Sequence, residues 1–189
     1  MGRKILFITT DQQRFDELGC NGGKYAKTPI ADGLAAQGIN YQRAHCNNVV
    51  CMPARATMVT GQYVRTHGVW SNGVPLPPDH PTVAQYLNNN GYKTTLVGKT
   101  HFEPFIDVEK KFYESRMAGL GETGPYRGFD YVIQAGHTGR GLWHYAQWLR
   151  DNHPDEVQGF YPVLNKKLQV NEVGGGETGA CQVWDKVQT

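Results

Sequence analysis

The chain has 189 residues, with 19 Lys plus Arg against 17 Asp plus Glu and a formal net charge of +2. That length is enough for one domain with a buried core. The near balance of charge offers no case for nucleic acid or an anionic membrane as the main partner, and no apolar run approaches the length of a membrane span.

Four cysteines, at 20, 46, 51 and 181, show no zinc-type spacing and are too few for a disulfide scaffold. The 23 glycines suit a loop-rich α/β enzyme better than a helical bundle. At the N-terminus, Met1-Gly2-Arg3-Lys4 leads straight into Ile5-Leu6-Phe7-Ile8. That run is too short for a signal-peptide core, which gives a cytoplasmic expectation.

Residues Lys4 to Thr10 read as a short apolar strand of the kind buried in a parallel sheet. Asp11-Gln12-Gln13-Arg14 follows at its carboxyl end, where open α/β sheets place their ligands. A carboxylate there is a good ligand for a hard metal, or a simple loop acid. Thr28 to Gly38 reads as a helix closed by its glycine, with Leu34 and Ala35 expected to pack on a sheet. Ile39 to Ala44 reads as a strand. His45 and Cys46, which follow it, are read as flanking residues rather than as a metal site.

The most informative stretch is Cys51-Met52-Pro53-Ala54-Arg55, continued to Thr60-Gly61. Proline is tolerated in the first turn of a helix, so Cys51 is expected at a helix N-terminus. That end carries free N–H groups and partial positive charge, and it favours an anion or an anionic nucleophile. Arg55 is one turn on, on the same face, and can grip an oxyanion with two parallel donors. The alternative is a structural Cys before an ordinary helix.

Further on, His67 in Arg65-Thr66-His67-Gly68 is expected to fix a turn. Asn72 is a candidate substrate contact or a turn residue before Gly73. Thr82 to Asn90 reads as a helix, and Tyr92 to Val97 as a strand with Gly98-Lys99-Thr100-His101 at its carboxyl end. Lys99 and His101, two apart in an extended stretch, share one side. Phe105 to Arg116 looks partly helical, Phe129 to Gln134 reads as a strand with Gly136 to Gly139 at its end, and Gly141 to Asn152 as an amphipathic helix. Val170 to Gly179 is Gly-rich and irregular.

The string Cys51-x-Pro53-x-Arg55 with Thr60-Gly61 resembles the signature of the sulfatases. The Thr28 helix, the run to His67-Gly68 and the Gly98-Lys99-x-His101 element resemble the same family. The resemblance runs from about Lys4 to His101. It implies an α/β fold, a three-layer αβα sandwich around a largely parallel sheet, like the alkaline phosphatase superfamily. It implies hydrolysis of a small-molecule sulfate ester by a formylglycine made from Cys51 by a formylglycine-generating enzyme. The aldehyde hydrates to a gem-diol, one hydroxyl attacks sulfur, and the other later expels sulfate. In these roles Cys51 is the nucleophile precursor and Arg55 stabilises it. Asp11, Gln12 and the modified Cys51 bind a divalent metal, Ca2+ before Mn2+, while Lys99 and His101 contact the transferring group. All five positions Asp11, Cys51, Arg55, Lys99 and His101 are expected to converge on one pocket.

One departure is visible. The usual acidic pair after the first strand is Asp-Asp, and here it is Asp11-Gln12. That form resembles the related phosphonate monoester hydrolases, so phosphonate monoester or phosphodiester hydrolysis by the same machinery is the enzymatic alternative. The family completes its metal site with a later Asp-Asn or Asp-His pair. Only Asp151-Asn152 has the right letters, and it is read as a helix terminus. The expectation is therefore an N-terminal portion of a catalytic domain, residues 1–189, inactive or non-catalytic alone. Such a chain would expose apolar surface, and self-association stays open.

Overall fold

The structure, a computed structural model, describes residues 2–104, 107, 111–136 and 143–157. Contacts divide the chain into two compact units, residues 1–46 and 47–189. The expected irregular stretch from Val170 to Gly179 lies outside the described residues, as do His137, Thr138 and Gly139.

In the first unit, two short 3-10 turns at Phe15–Glu17 and Gly19–Asn21 precede helix α1, Pro29–Gln37. Pro29 opens α1, where a missing N–H costs nothing, and the Gly38 N–H closes it on the Leu34 carbonyl. Asp32 on α1 accepts from the Cys20 N–H at 2.7 Å and from the Thr28 hydroxyl at 3.1 Å, tying the turns to the helix.

Two strand expectations fail in this unit. Residues Lys4 to Thr10 are irregular, and Ile5, Leu6, Phe7 and Ile8 are 65 %, 84 %, 73 % and 70 % exposed. Ile39 to Ala44 is also irregular and exposed, with a turn closed by the Ala44 N–H on the Tyr41 carbonyl. A strand exists only as one side of a hydrogen-bonded ladder, and neither run is paired here. Leu34, expected to pack on a sheet, is instead exposed.

The second unit holds α2 Cys51–Thr60, α3 Val64–His67, α4 Val83–Asn89, β1 Thr95–Gly98, α5 Tyr113–Leu120, β2 Tyr131–Gln134 and α6 His144–Asn152. Strands β1 and β2 pair in parallel, with Thr95 opposite Tyr131 and Gly98 opposite Gln134. The connection between them carries α5, as a parallel pair requires a crossover. Asp130 fixes the start of this ladder: its carboxylate accepts from the Thr94 N–H at 3.0 Å and from Asn88 Nδ2 at 2.6 Å. The strands are shorter than the runs expected from sequence, because Tyr92, Lys93 and Phe129 lie before the paired stretch.

The core is built from α2, α5, β2 and the loops between them. Met52, Ala56 and Val59 of α2 are buried with Val69, Leu76, Phe102, Met117, Tyr126 and Val132. The spacing 52, 56, 59 puts one face of α2 inward, as a helical period demands. A second cluster joins Ala146 and Leu149 of α6 to Tyr145 and Val157. Asp151 and Asn152 are the last residues of α6, and the Asn152 amide caps the Trp148 carbonyl at 2.8 Å. That pair is a helix terminus, as read from sequence. No described helix is long and apolar enough to cross a membrane.

Candidate active site at the start of helix α2

Cys51 is the first residue of α2, and the Ala54 N–H makes the first helical bond to the Val50 carbonyl at 3.0 Å. Pro53 is buried in the opening turn. Its absent N–H would have been unsatisfied there in any case. Helix α2 ends at Gly61, whose φ of 68° is left-handed and whose N–H bonds the Thr57 carbonyl. The thiol is half-buried at the positive end of a helix whose inner face is anchored in the core.

Asn72 sits beside this N-terminus. Its side-chain oxygen accepts from the Met52 N–H at 2.9 Å, one of the orphan donors of the first turn. Neighbouring Gly73 donates its N–H to the Met52 sulfur at 3.1 Å. The residue read as a substrate contact or a turn residue thus acts as a capping side chain delivered from another loop.

Arg55 lies one turn along α2, and its Nη1 donates to the Lys99 carbonyl at 2.5 Å. The signature helix and the Gly98-Lys99-x-His101 element are therefore brought together directly. That element leaves the carboxyl end of β1. Lys99 is half-buried, and His101 is 5 % exposed with a φ of 54°, a backbone region that side chains other than glycine seldom adopt.

His67 shows why the helix stays in place. It is 2 % exposed, and its Nδ1 accepts from the Val69 N–H at 3.1 Å. Nδ1 is then unprotonated, so Nε2 carries the proton and donates to the Thr57 hydroxyl at 3.0 Å. Burial, with a smaller effect from His80, holds the imidazole below its usual pKa and keeps it neutral. The expected turn-fixing role is what the contacts show.

Asp11 and Gln12 belong to the first unit, exposed, with Gln12 at a φ of 55°. They offer one carboxylate and one amide oxygen. Among the described residues no group of three or more His, Cys, Asp or Glu side chains comes together to hold a metal. A hard divalent cation wants six or more oxygens, so these residues do not form a complete metal site.

The loop after His101 rests on residues that were not singled out from sequence. Glu114 of α5 is 2 % exposed, and its carboxylate accepts from the Phe102 N–H and the Tyr126 hydroxyl, each at 2.9 Å. Burial pushes its pKa up to about 7. Glu103 accepts from the Glu114 N–H at 2.7 Å and pairs with buried Arg127 at 3.4 Å. No spacing rule flags such a cluster: acids separated by eleven positions and an Arg thirteen further on look like solvated surface until the fold closes them together.

A parallel α/β arrangement with Cys51 at the head of a helix is what the sulfatase resemblance implied, and comparison with known proteins agrees on the family. The sulfatase family pattern matches residues 3–173, and the chain belongs to that family. It is 33 % identical over 164 residues to a protein of Escherichia coli named "Uncharacterized sulfatase YidJ", covering 81 % of this chain and 31 % of that protein. It is 30 % identical over 134 residues to an N-acetylglucosamine-6-O-sulfatase of Bacteroides thetaiotaomicron, covering 70 % of this chain and 24 % of that one. Among solved structures it is similar to the phosphonate monoester hydrolase of Agrobacterium radiobacter, with a TM-score of 0.60 and 30 % identity over 79 % of this chain and 28 % of that one. The fold class is thereby alkaline-phosphatase-like α/β. The chain spans less than a third of the length of these relatives.

Proposed function

We propose that the protein serves sulfate-ester hydrolysis through a formylglycine formed at Cys51. The observation that carries this reading is the pairing of Cys51 at the head of α2 with Arg55, whose guanidinium is bound to the Lys99 carbonyl. One contact thus joins the two elements a sulfate group would need. The formylglycine would supply the hydrated aldehyde whose hydroxyl attacks sulfur.

The chain's own residues supply the surroundings. The free N–H groups at the start of α2 favour negative charge beside residue 51. Arg55 adds a permanent positive charge one turn away, and its bond to the Lys99 backbone fixes where that charge sits. Lys99 neutralises a sulfate oxygen, and His101 hydrogen-bonds a diol hydroxyl or the leaving oxygen. Asp11 and Gln12 are proposed as the chain's contribution to a divalent cation, Ca2+ in the first place, which needs further oxygen ligands. A formylglycine-generating enzyme is the implied partner.

Phosphonate monoester hydrolysis is the second reading. It is favoured by Asp11-Gln12 and by the likeness to the phosphonate monoester hydrolase fold.

The chain is to be produced with a formylglycine-generating enzyme, and peptide mass spectrometry should find an aldehyde at residue 51. Unmodified thiol throughout, alongside full turnover, would defeat the reading. Comparing aryl sulfate with phosphonate ester turnover, with Cys51→Ala as control, separates the two chemistries.

A further inference from the structure

We propose that Glu114 is the positioning residue for the Lys99–His101 segment, setting the path of the backbone that carries both side chains. The proposal rests on the reading that Lys99 and His101 meet the transferring group, but its test does not.

The segment leaves β1 at Gly98, whose φ is 116°, and passes through His101 at a φ of 54°. A non-glycine residue at positive φ persists when its surroundings over-determine it. Four contacts do so here. The Phe102 N–H, directly after His101, donates to the Glu114 carboxylate at 2.9 Å. The Thr100 hydroxyl, directly before it, accepts from Gln134 Nε2 of β2 at 3.1 Å. The Phe102 carbonyl accepts from the Leu76 N–H at 2.8 Å. Arg55 holds the Lys99 carbonyl from the other side. Of these anchors, Glu114 is the side chain that holds the N–H directly after His101.

Glu114 is itself held. Its N–H is bound by Glu103, the Tyr126 hydroxyl donates to it, and Arg127 donates to that same hydroxyl at 2.8 Å. Arg127 also donates to the Leu76 and Pro77 carbonyls, each at 2.6 Å, and pairs with Glu103. The charged and titratable groups around the carboxyl are thus Glu103, Tyr126 and Arg127. A single packed acid this deep is costly unless its acceptors are satisfied. Glu114 places one of those acceptors on the residue directly after His101. The raised pKa is a consequence of the same burial.

The test is heteronuclear NMR on the whole chain, reading the His101 imidazole resonances, the Lys99 side chain and the Phe102 amide. Amides of 95–98 and 131–134 report whether the fold is kept. In Glu114→Ala the His101 and Lys99 resonances should move, and the Phe102 amide should exchange at least about tenfold faster, as loss of one buried hydrogen bond implies. Glu114→Gln keeps an acceptor oxygen and should restore most of both. Unmoved His101 and Lys99 resonances in Glu114→Ala, with the sheet amides intact, would overturn the proposal. If Glu114→Ala does not fold, Tyr126→Phe takes its place: it removes one donor to the carboxylate and should move the same resonances less. No movement there would equally overturn it. Failure of the reading that His101 meets the transferring group is a separate result, seen as His101→Ala retaining full sulfate-ester turnover.

Discussion

The two compact units carry comparable sequence signals and very different packing. The first has the apolar run Ile5 to Ile8, the Asp11-Gln12 pair and a well-capped helix, yet none of its described residues is buried. The second places every buried hydrophobic residue of the described chain, from Met52 to Leu149. A motif is legible wherever its letters stand. Burial needs partners on both sides, and only the second unit supplies them. The unpaired run Ile5 to Ile8 presents apolar surface of the kind that other polypeptide normally covers.

The largest expected contrast is in backbone protection. Amides of Leu6 to Ile8 should exchange at close to unfolded rates, while Val132 and Ala135, whose N–H groups are bonded to Thr123 and Gly98, should be slower by about a thousandfold or more. Hydrogen exchange with mass spectrometry reads this directly. Equal protection of the two segments would show that the first run is paired in solution, and the contrast between the units would collapse.

Next is the core face of α2. Met52 is fully buried, so Met52→Ala should cost about 2–5 kcal/mol in chemical denaturation. Because the Met52 sulfur also accepts from the Gly73 N–H, the same change should loosen the loop beside the Cys51 turn, while the Asn72 bond to the backbone N–H stays. A cost below about 1 kcal/mol would place α2 outside the cooperative core.

These expectations also show what could be read from the sequence. Helix α2 was legible in full, from Cys51 at its head to Gly61 at its end, because the early proline and the terminal glycine agreed. Helix α4 was legible to within a residue, and the Thr82 hydroxyl caps it by accepting from the Gln85 N–H at 3.0 Å. Ile5 to Ile8 has strand-like letters, but a strand depends on a neighbour the run itself cannot specify. The contact between Arg55 and Lys99 was foreseen only as convergence on a pocket. The hydrogen bond goes to the Lys99 backbone, which no side-chain motif encodes. Asn72 was ambiguous because its partner, the Met52 N–H, lies twenty positions away. The Glu114 cluster was invisible because eleven to thirteen residues separate its members.

The third prediction concerns pH, where two buried groups of the second unit oppose each other. Glu114 has a folded pKa of about 7 against an ordinary 4.5, so the folded state binds more protons between those values. Its contribution to stability is therefore lost as pH rises through that window, at no more than about 1.4 kcal/mol per pH unit. His67 has a folded pKa below its ordinary 6.5, so its contribution is lost as pH falls below that value. Glu114→Gln should remove the alkaline-side decline and His67→Gln the acid-side one, each measured as denaturation midpoint against pH. If Glu114→Gln leaves the profile unchanged between pH 4.5 and 7, the carboxyl titrates normally and is not buried as described.

The smallest expected effect returns to the first unit. Leu34 lies in the middle of α1 and is 62 % exposed. Leu34→Ala removes little buried apolar area and replaces a good helix former with a better one. The two effects nearly cancel, so the change in stability should stay within about 0.5 kcal/mol. Set beside Met52→Ala, it compares two apolar helix residues with similar letters and opposite burial. A loss of about 2 kcal/mol or more at Leu34, a size reached when a packed leucine is truncated, would mean that α1 is covered in solution. The sequence expectation that Leu34 packs on a sheet would then be restored, and the first unit would have to be counted as part of the core.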